Sequence, residues 1–263
     1  MKKFKDIAIR TAKKAGEIHK KYFRKDIRVR RKTKSYDLVT IVDVESEKAI
    51  VSLIKKYFPD HNILAEENIY KKTSSEYTWV IDPLDGTNNF SHGLPIFCVS
   101  IALAKNNDVI LGVVYDPIKD ELFYAEKNKG AYLNGIPIKV SSVDKLNRAL
   151  LVTGFYYDRG KEMIEALEAI KRFFYQKIIG LRRFGAAALD LCYVACGRVT
   201  GFWEFKLSPW DFAAGKLIVE EAGGKVTNKY GKKLELKNSF IVASNSRIHR
   251  KMLKIITAVN LRG

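Results

Sequence analysis

The chain is poor in cysteine. Cys98, Cys192 and Cys196 are the three in 263 residues, and an odd, sparse count with no paired motif excludes a disulfide framework. Cys192 and Cys196 stand four apart on an expected helix and could share a face. Zinc needs more ligands than two thiols, and the histidines (His19, His61, His92, His249) are scattered. Reduced core thiols are therefore expected. No apolar run approaches the ~20 residues that span a bilayer. The opening residues, MKKFKDIAIRTAKKAG, are charged throughout and lack the apolar stretch of a signal peptide. The expectation is a soluble, cytoplasmic protein with no membrane partner. Glutamine is nearly absent, at Gln176 alone, while 29% of residues are charged; that composition fits a heat-adapted protein. Acidic residues are outnumbered 29 to 47 by lysine and arginine, leaving a formal net charge of +18. A positive field gathers anionic ligands, so nucleic acid and phosphorylated metabolites both qualify. RVRRKTK (28–34) is a dense basic run. No nucleic-acid module is recognisable, and binding through charge alone would be weak and salt-dependent.

What the chain does have is periodicity. Ile7, Ala8, Thr11, Ala15, Ile18 and Tyr22 fall at helical spacing and predict an amphipathic first helix. After DLVTIVD, which ends at Asp43, Ala49, Ile50, Leu53, Ile54 and Tyr57 predict a second, with Pro59 just beyond it. NILAEEN reads as a short buried strand. FCVSIALA, VILGVVYD, ELFYAEK and IPIKV, separated by turn signals such as KNND and LNG, predict an antiparallel meander. From about residue 149 strands and helices alternate. ALLVTGF, KIIGLRR, VTGFWEF and SFIVAS are the strands, and 161–175, 186–196, 211–222 and 247–258 the helices. Such alternation predicts an α/β second half. A boundary near residue 145 would divide an N-terminal α+β unit (1–145) from a C-terminal α/β unit (146–263). A chain of 263 residues, 47% hydrophobic, can bury a substantial core.

Four acidic positions follow apolar strands or open helices. They are Glu66 after NILA, Asp82 and Asp85 in IDPLDGT, and Asp211 in SPWDFAAG. Two carboxylates ~4 Å apart repel by roughly 4 kcal/mol at an effective dielectric of 20. Four that converged would raise one another's pKa or bind cations. Oxygen ligands without cysteine or histidine favour hard ions such as Mg²⁺ or Mn²⁺. A carboxylate shared by two ions suits phosphate-ester hydrolysis. In the DGT triplet, Gly86 lets the backbone approach a ligand, and Thr87 is expected to cap a following helical turn.

WVIDPLDGTNNFSHGLP, AEEN, DLVTIVD and PWDFAAGKLIVEEAGG, in that combination, resemble the inositol monophosphatase family. It belongs to the Mg²⁺-dependent, lithium-sensitive phosphatases that include fructose-1,6-bisphosphatase. The resemblance covers essentially the whole chain. Ala65 stands where the family commonly has glycine. The resemblance implies a layered α-β-α-β-α sandwich with two sheets, of mixed α+β and α/β class. Residues 1–145 would carry most metal ligands, and 146–263 would add Asp211 and substrate contacts. Glu66, Asp82 and the Leu84 carbonyl would hold one ion. Asp82, Asp85 and Asp211 would hold a second, with a weaker third near Glu66. Mn²⁺ would substitute, and Li⁺ would inhibit by replacing the second ion. Thr87, bonded to Asp43, would activate the attacking water, with Glu67 behind the ligands. Gly86 and Thr87 N–H groups would hold phosphate, Glu204 would accept substrate hydroxyls, and Lys32 would lie on a mobile loop. Arg182 and Arg183 in GLRRF could bind a second phosphate. An inositol-1- or 4-monophosphatase is expected. The alternative is a fructose-1,6-bisphosphatase or dual enzyme; a 3′-nucleotide phosphatase or a nucleic-acid binder ranks lower. The family is usually dimeric, and GFWEF and KRFFY offer aromatics to either an interface or the core.

Overall fold

A computed structural model describes residues 1–25, 29–31, 38–155 and 160–258. Two helices open it, α1 (Lys2–Tyr22) and α2 (Ile41–Tyr57), packed on each other. An antiparallel ribbon, β1 (Val29–Arg31) and β2 (Leu38–Thr40), lies between them in the chain. The spacing predicted for α1 is largely used: Ile7, Ala8, Thr11 and Ala15 are buried, and Ile18 and Tyr22 half-buried. α2 starts earlier than its apolar pattern indicates. Thr40 caps it, and Asp43 is the fourth member of a reciprocal capping box rather than the residue that precedes the helix.

The first sheet has seven strands in sequence order, β3 (Asn62–Ala65), β4 (Tyr77–Asp85), β5 (Cys98–Lys105), β6 (Asp108–Asp116), β7 (Glu121–Glu126), β8 (Ala131–Leu133) and β9 (Ile136–Ile138). Only the β3–β4 pair is parallel. The hairpin turns carry the residues that left-handed backbone favours. Asn106 and Asn107 have φ 49° and 65°, and Asn134 and Gly135 have φ 50° and 82°, so both two-residue loops suit the twist of their strands. A short helix, α3 (Thr87–Ser91), follows β4.

The second sheet has the order β11-β10-β12-β14-β13. Its strands are β10 (Leu150–Thr153), β11 (Gly180–Arg182), β12 (Gly201–Leu207), β13 (Lys225–Thr227) and β14 (Ser239–Ser244). Four helices accompany it, α4 (Lys161–Tyr175), α5 (Ala187–Ala195), α6 (Pro209–Glu221) and α7 (His249–Thr257). α1 and α2 cover one face of the first sheet. α5 and α6 lie between the two sheets, and α4 and α7 cover the outer face of the second. The result is the five-layer α-β-α-β-α sandwich of mixed α/β class.

The middle layer explains the sequence of α6. A helix covered on both sides has no solvent face, and every residue from Phe212 to Val219 is buried. Lys216 survives there by pairing with Glu220 at 2.6 Å. Gly112 on β6 gives α6 its seat, since a Cβ there would stand 2.6 Å from the Ala214 carbonyl oxygen.

Candidate active site

β4 delivers two carboxylates to one place by a break in its ladder. In a regular strand, residues an odd number apart point to opposite faces. Asp82 pairs with Ser100 and Asp85 with Cys98, so three steps on β4 oppose two on β5. This bulge re-aims the strand, and Pro83, which has no N–H to lose, sits inside it. The Leu84 N–H donates to Asp82 Oδ1 at 3.0 Å and closes the turn. Gly86 has φ 98°, and a Cβ there would meet the Ile96 carbonyl at 2.8 Å, so no other residue fits. Gly86 caps α3 and Thr87 is its first residue. The expectation that Thr87 itself is the cap is corrected: its hydroxyl is used elsewhere.

That hydroxyl lies 2.8 Å from Asp43 Oδ1 and 3.1 Å from the Leu84 carbonyl oxygen. It has one proton, and the carboxylate is the nearer and stronger acceptor. Asp43 Oδ2 accepts the Thr40 N–H at 2.7 Å and the Thr40 hydroxyl at 2.6 Å. The capping box of α2 therefore fixes the carboxylate that Thr87 meets. Asp85 is held from the other half of the chain. The Ala187 and Ala188 N–H groups, at the start of α5, donate to its Oδ1 and Oδ2 at 3.2 and 2.7 Å.

Glu66, Asp82, Leu84, Asp85, Gly86, Thr87, Arg183, Glu204 and Asp211 line one cavity of about 300 Å³. Glu66 enters from the end of β3, Asp211 from the first turn of α6, and Glu204 from β12. Asp211 Oδ2 accepts the Ser208 N–H at 2.7 Å. Gly154 makes room for Glu204, for a Cβ at 154 would overlap its carboxylate at 1.9 Å.

Burial and mutual repulsion dominate the electrostatics. Burial, then the charges of Glu66, Asp85 and Asp211, hold the Asp82 carboxyl far above the usual carboxylate range. Burial, then Glu66 and Asp85, does the same to Asp211. Burial lifts Asp85 to about 7 against the opposing N–H bonds from α5. It lifts Asp43 to about 6 and Glu204 to about 8, the latter against the pull of Arg183. Such a cluster calls for cationic charge. Among the described residues, no three His, Cys, Asp or Glu side chains close on one point as a ready-made cage. Oxygen donors of this kind favour hard divalent cations, whose remaining positions water or substrate would fill.

Other expected residues fall outside the cavity. Glu67 does not line it; its N–H donates to Glu47 Oε2 at 2.9 Å. Arg182 is exposed and donates to the carbonyl of its neighbour Leu181, so the arginine pair is split and Arg183 alone reaches the cavity. Lys32 lies outside the described residues. Three residues escaped the sequence reading. Glu47 follows Asp43 by one helical turn, a spacing visible in DVESE. His19 on α1 donates from Nε2 to the Pro83 carbonyl at 2.9 Å. Asp190 is buried, with an Oδ1 that has no hydrogen-bond partner.

The five-layer sandwich with an all-oxygen acidic cavity at the strand ends defines a sugar-phosphatase type of protein. The profile of the Inositol monophosphatase family matches residues 1–261, and the chain belongs to that family, as a phosphatase of phosphate monoesters. It is 40% identical over 254 residues to the fructose-1,6-bisphosphatase/inositol-1-monophosphatase of Thermotoga maritima, covering 97% of this chain and 96% of that one. It is 44% identical over 253 residues to Nus factor SuhB of Haemophilus influenzae, covering 95% and 94%. The solved inositol monophosphatase from Anabaena (Nostoc) sp. PCC 7120 superposes with a TM-score of 0.88 at 42% identity, covering 98% and 97%.

Proposed function

We propose that the protein hydrolyses inositol 1- (or 4-) monophosphate in the cytoplasm, using Mg²⁺. The observation that carries this reading is the convergence of Glu66, Asp82, Asp85 and Asp211 on the cavity that also holds Thr87 and Glu204. Glu66, Asp82 and the Leu84 carbonyl would hold one ion; Asp82, Asp85 and Asp211 would hold another, with a weaker third beside Glu66. Mn²⁺ would substitute, and Li⁺ would compete. When bound, such ions supply Lewis acidity toward a phosphoryl oxygen and access to a nucleophile at neutral pH.

The chain's own residues do the rest. Thr87 donates its hydrogen bond to Asp43 Oδ1, so its oxygen is left to accept a hydrogen bond from the attacking water. As that water attacks phosphorus, its proton passes to Thr87 Oγ1 while the threonine proton moves to Asp43. The ester oxygen leaves with the electron pair of the broken P–O bond and takes up a proton from solvent, Asp43 returns its proton to solvent, and no covalent phosphoenzyme forms. Gly86 and Thr87 N–H groups face the phosphate. Glu204 meets a hydroxyl of the inositol ring.

A second reading, fructose 1,6-bisphosphate, is favoured by Arg183 in the cavity wall, where a guanidinium suits a second phosphate. Phosphate release from the two substrates, side by side, with Mg²⁺ and with EDTA, tests both. Asp82→Asn is expected to abolish both activities. Arg183→Ala is expected to lower bisphosphate turnover about tenfold more than monophosphate turnover, the loss of one charge-assisted contact. Equal losses on the two substrates would remove the second-phosphate role.

The family resemblance also suggests a homodimer. GFWEF is spent in the core, with Phe202 and Trp203 at 0% exposure. Ile164, Leu167 and Phe174 follow one face of α4 and stay 46–52% exposed, a stripe suited to a second copy. Light scattering should give twice the chain mass, and Leu167→Glu should shift it to the monomer.

A further inference from the structure

Glu47 is fully buried on α2, and its carboxylate oxygens are spent on one segment of the chain. Oε2 accepts the Glu67 N–H at 2.9 Å. Oε1 accepts the Asn68 side-chain amide at 2.7 Å and the Tyr70 hydroxyl at 2.9 Å. Three donors from residues 67–70 thus converge on one side chain of 0% exposure. A buried carboxylate without a cation needs such donors to stay in place. Bonding to the carboxylate also helps hold the Tyr70 hydroxyl well above its usual pKa, behind the larger effect of burial.

β3 ends at Ala65, and residues 66–70 belong to no helix or strand. Ile69, between two of the donors, is fully exposed. Glu66, the first residue of this irregular stretch, is the one that lines the cavity. Its position is bounded on one side by the β3–β4 ladder, which ends at Ala65 and Ile81. On the other side it is bounded by the Glu67 N–H on Glu47. α2 therefore serves the site twice: Asp43 meets Thr87, and Glu47, one turn later, pins the chain next to Glu66.

We propose that Glu47 is a positioning residue that fixes the Glu66 carboxylate and so sets how tightly the cavity holds a divalent cation. The proposal rests on the reading of Glu66 as a cation ligand. Side chains that orient ligands typically change metal affinity by about 10- to 100-fold when removed.

The test measures Mn²⁺ binding to the whole, substrate-free protein by titration calorimetry, with Mg²⁺ competition. Glu47→Gln, which places an amide against donors, is expected to weaken binding by about 10-fold or more. Tyr70→Phe removes one donor and leaves the carboxylate anchored by two. It should weaken binding a few-fold, with an unfolding midpoint in EDTA close to that of the parent. If Glu47→Gln fails to fold, Tyr70→Phe and Asn68→Ala carry the test. Glu66→Gln separates the two layers of the argument. If Glu66→Gln leaves Mn²⁺ affinity unchanged, Glu66 is no ligand and the reading beneath the proposal fails. If Glu66→Gln weakens binding while the Glu47, Asn68 and Tyr70 variants bind like the parent, the positioning role is overturned. In the Glu66→Gln background, Tyr70→Phe should cause no further loss. An additive loss there would mean that the Glu47 bonds act on the fold at large rather than through Glu66.

Discussion

Thr87 is the residue whose chemistry is most sharply defined by its neighbours. Its hydroxyl can reach two acceptors but has one proton, and Asp43, pinned by Thr40, takes it. A threonine so placed has a free oxygen and a fixed proton path. Removing the hydroxyl should act on the chemical step rather than on binding. Thr87→Ala is expected to lower kcat by roughly 10²- to 10⁴-fold, the usual range for a lost general-base relay, with little change in substrate KM. Thr87→Ser restores the hydroxyl and should recover much of the rate. A Thr87→Ala enzyme with near-parent kcat would remove the relay. The pair was legible in the sequence only because DLVTIVD and DGT occur together in one family. Nothing local tells Asp43 that its partner is 44 positions away.

Secondary-structure elements carried unequal amounts of information. β4 to β7 were readable because each buries most of its residues and ends at an asparagine- or aspartate-rich turn. α6 was readable as a helix, but its start was not. Pro209 begins it and Asp211 comes third, because the Ser208–Asp211 capping box, not apolar periodicity, sets the end. β13, three residues long, offers no period to detect. The bond from α5 to Asp85 crosses more than a hundred residues and leaves no local trace. Capping at α2 makes an element-scale prediction. Thr40→Ala deletes both bonds of the Thr40 side chain while the helix keeps its buried face. Stability should fall by about 1 kcal/mol, or about 2–4 °C in Tm. The same change removes one of the two Thr40 bonds that hold Asp43 Oδ2, so kcat should fall by more than that small loss of stability explains. Thermal unfolding and kcat on one preparation would show it; a stability loss with kcat intact would confine Thr40 to capping.

At the scale of the molecule, the site is a cost to the fold that cations relieve. Asp85 and Glu204 ionise near pH 7 and 8 in the folded protein, Asp43 near 6, and Asp82 and Asp211 are also held high. In the unfolded chain carboxyls ionise near 4. Their folded pKa values are raised, so the stability they contribute is present at low pH and is lost as pH rises through the folded values. His19 and His249 act in the opposite sense. Burial lowers each to about 4, against 6.5 unfolded, so their contribution is intact above pH 6.5 and is lost as pH falls toward 4. The two effects oppose each other below pH 6.5 and separate above it. Between pH 6.5 and 8.5 only the tail of the unfolded histidines' titration remains and the carboxyls dominate. In EDTA, Tm should therefore fall across that window. The slope is bounded at about 1.4 kcal/mol per pH unit for each proton released, or about 3–6 °C per unit for a chain of this size. A saturating divalent cation binds the ionised cluster, so the Tm gain from Mg²⁺ should be larger at pH 8.5 than at pH 6.5. A metal-free Tm that stays flat or rises from pH 6.5 to 8.5 would mean that the acidic cluster relaxes on ionisation instead of straining the sandwich around it.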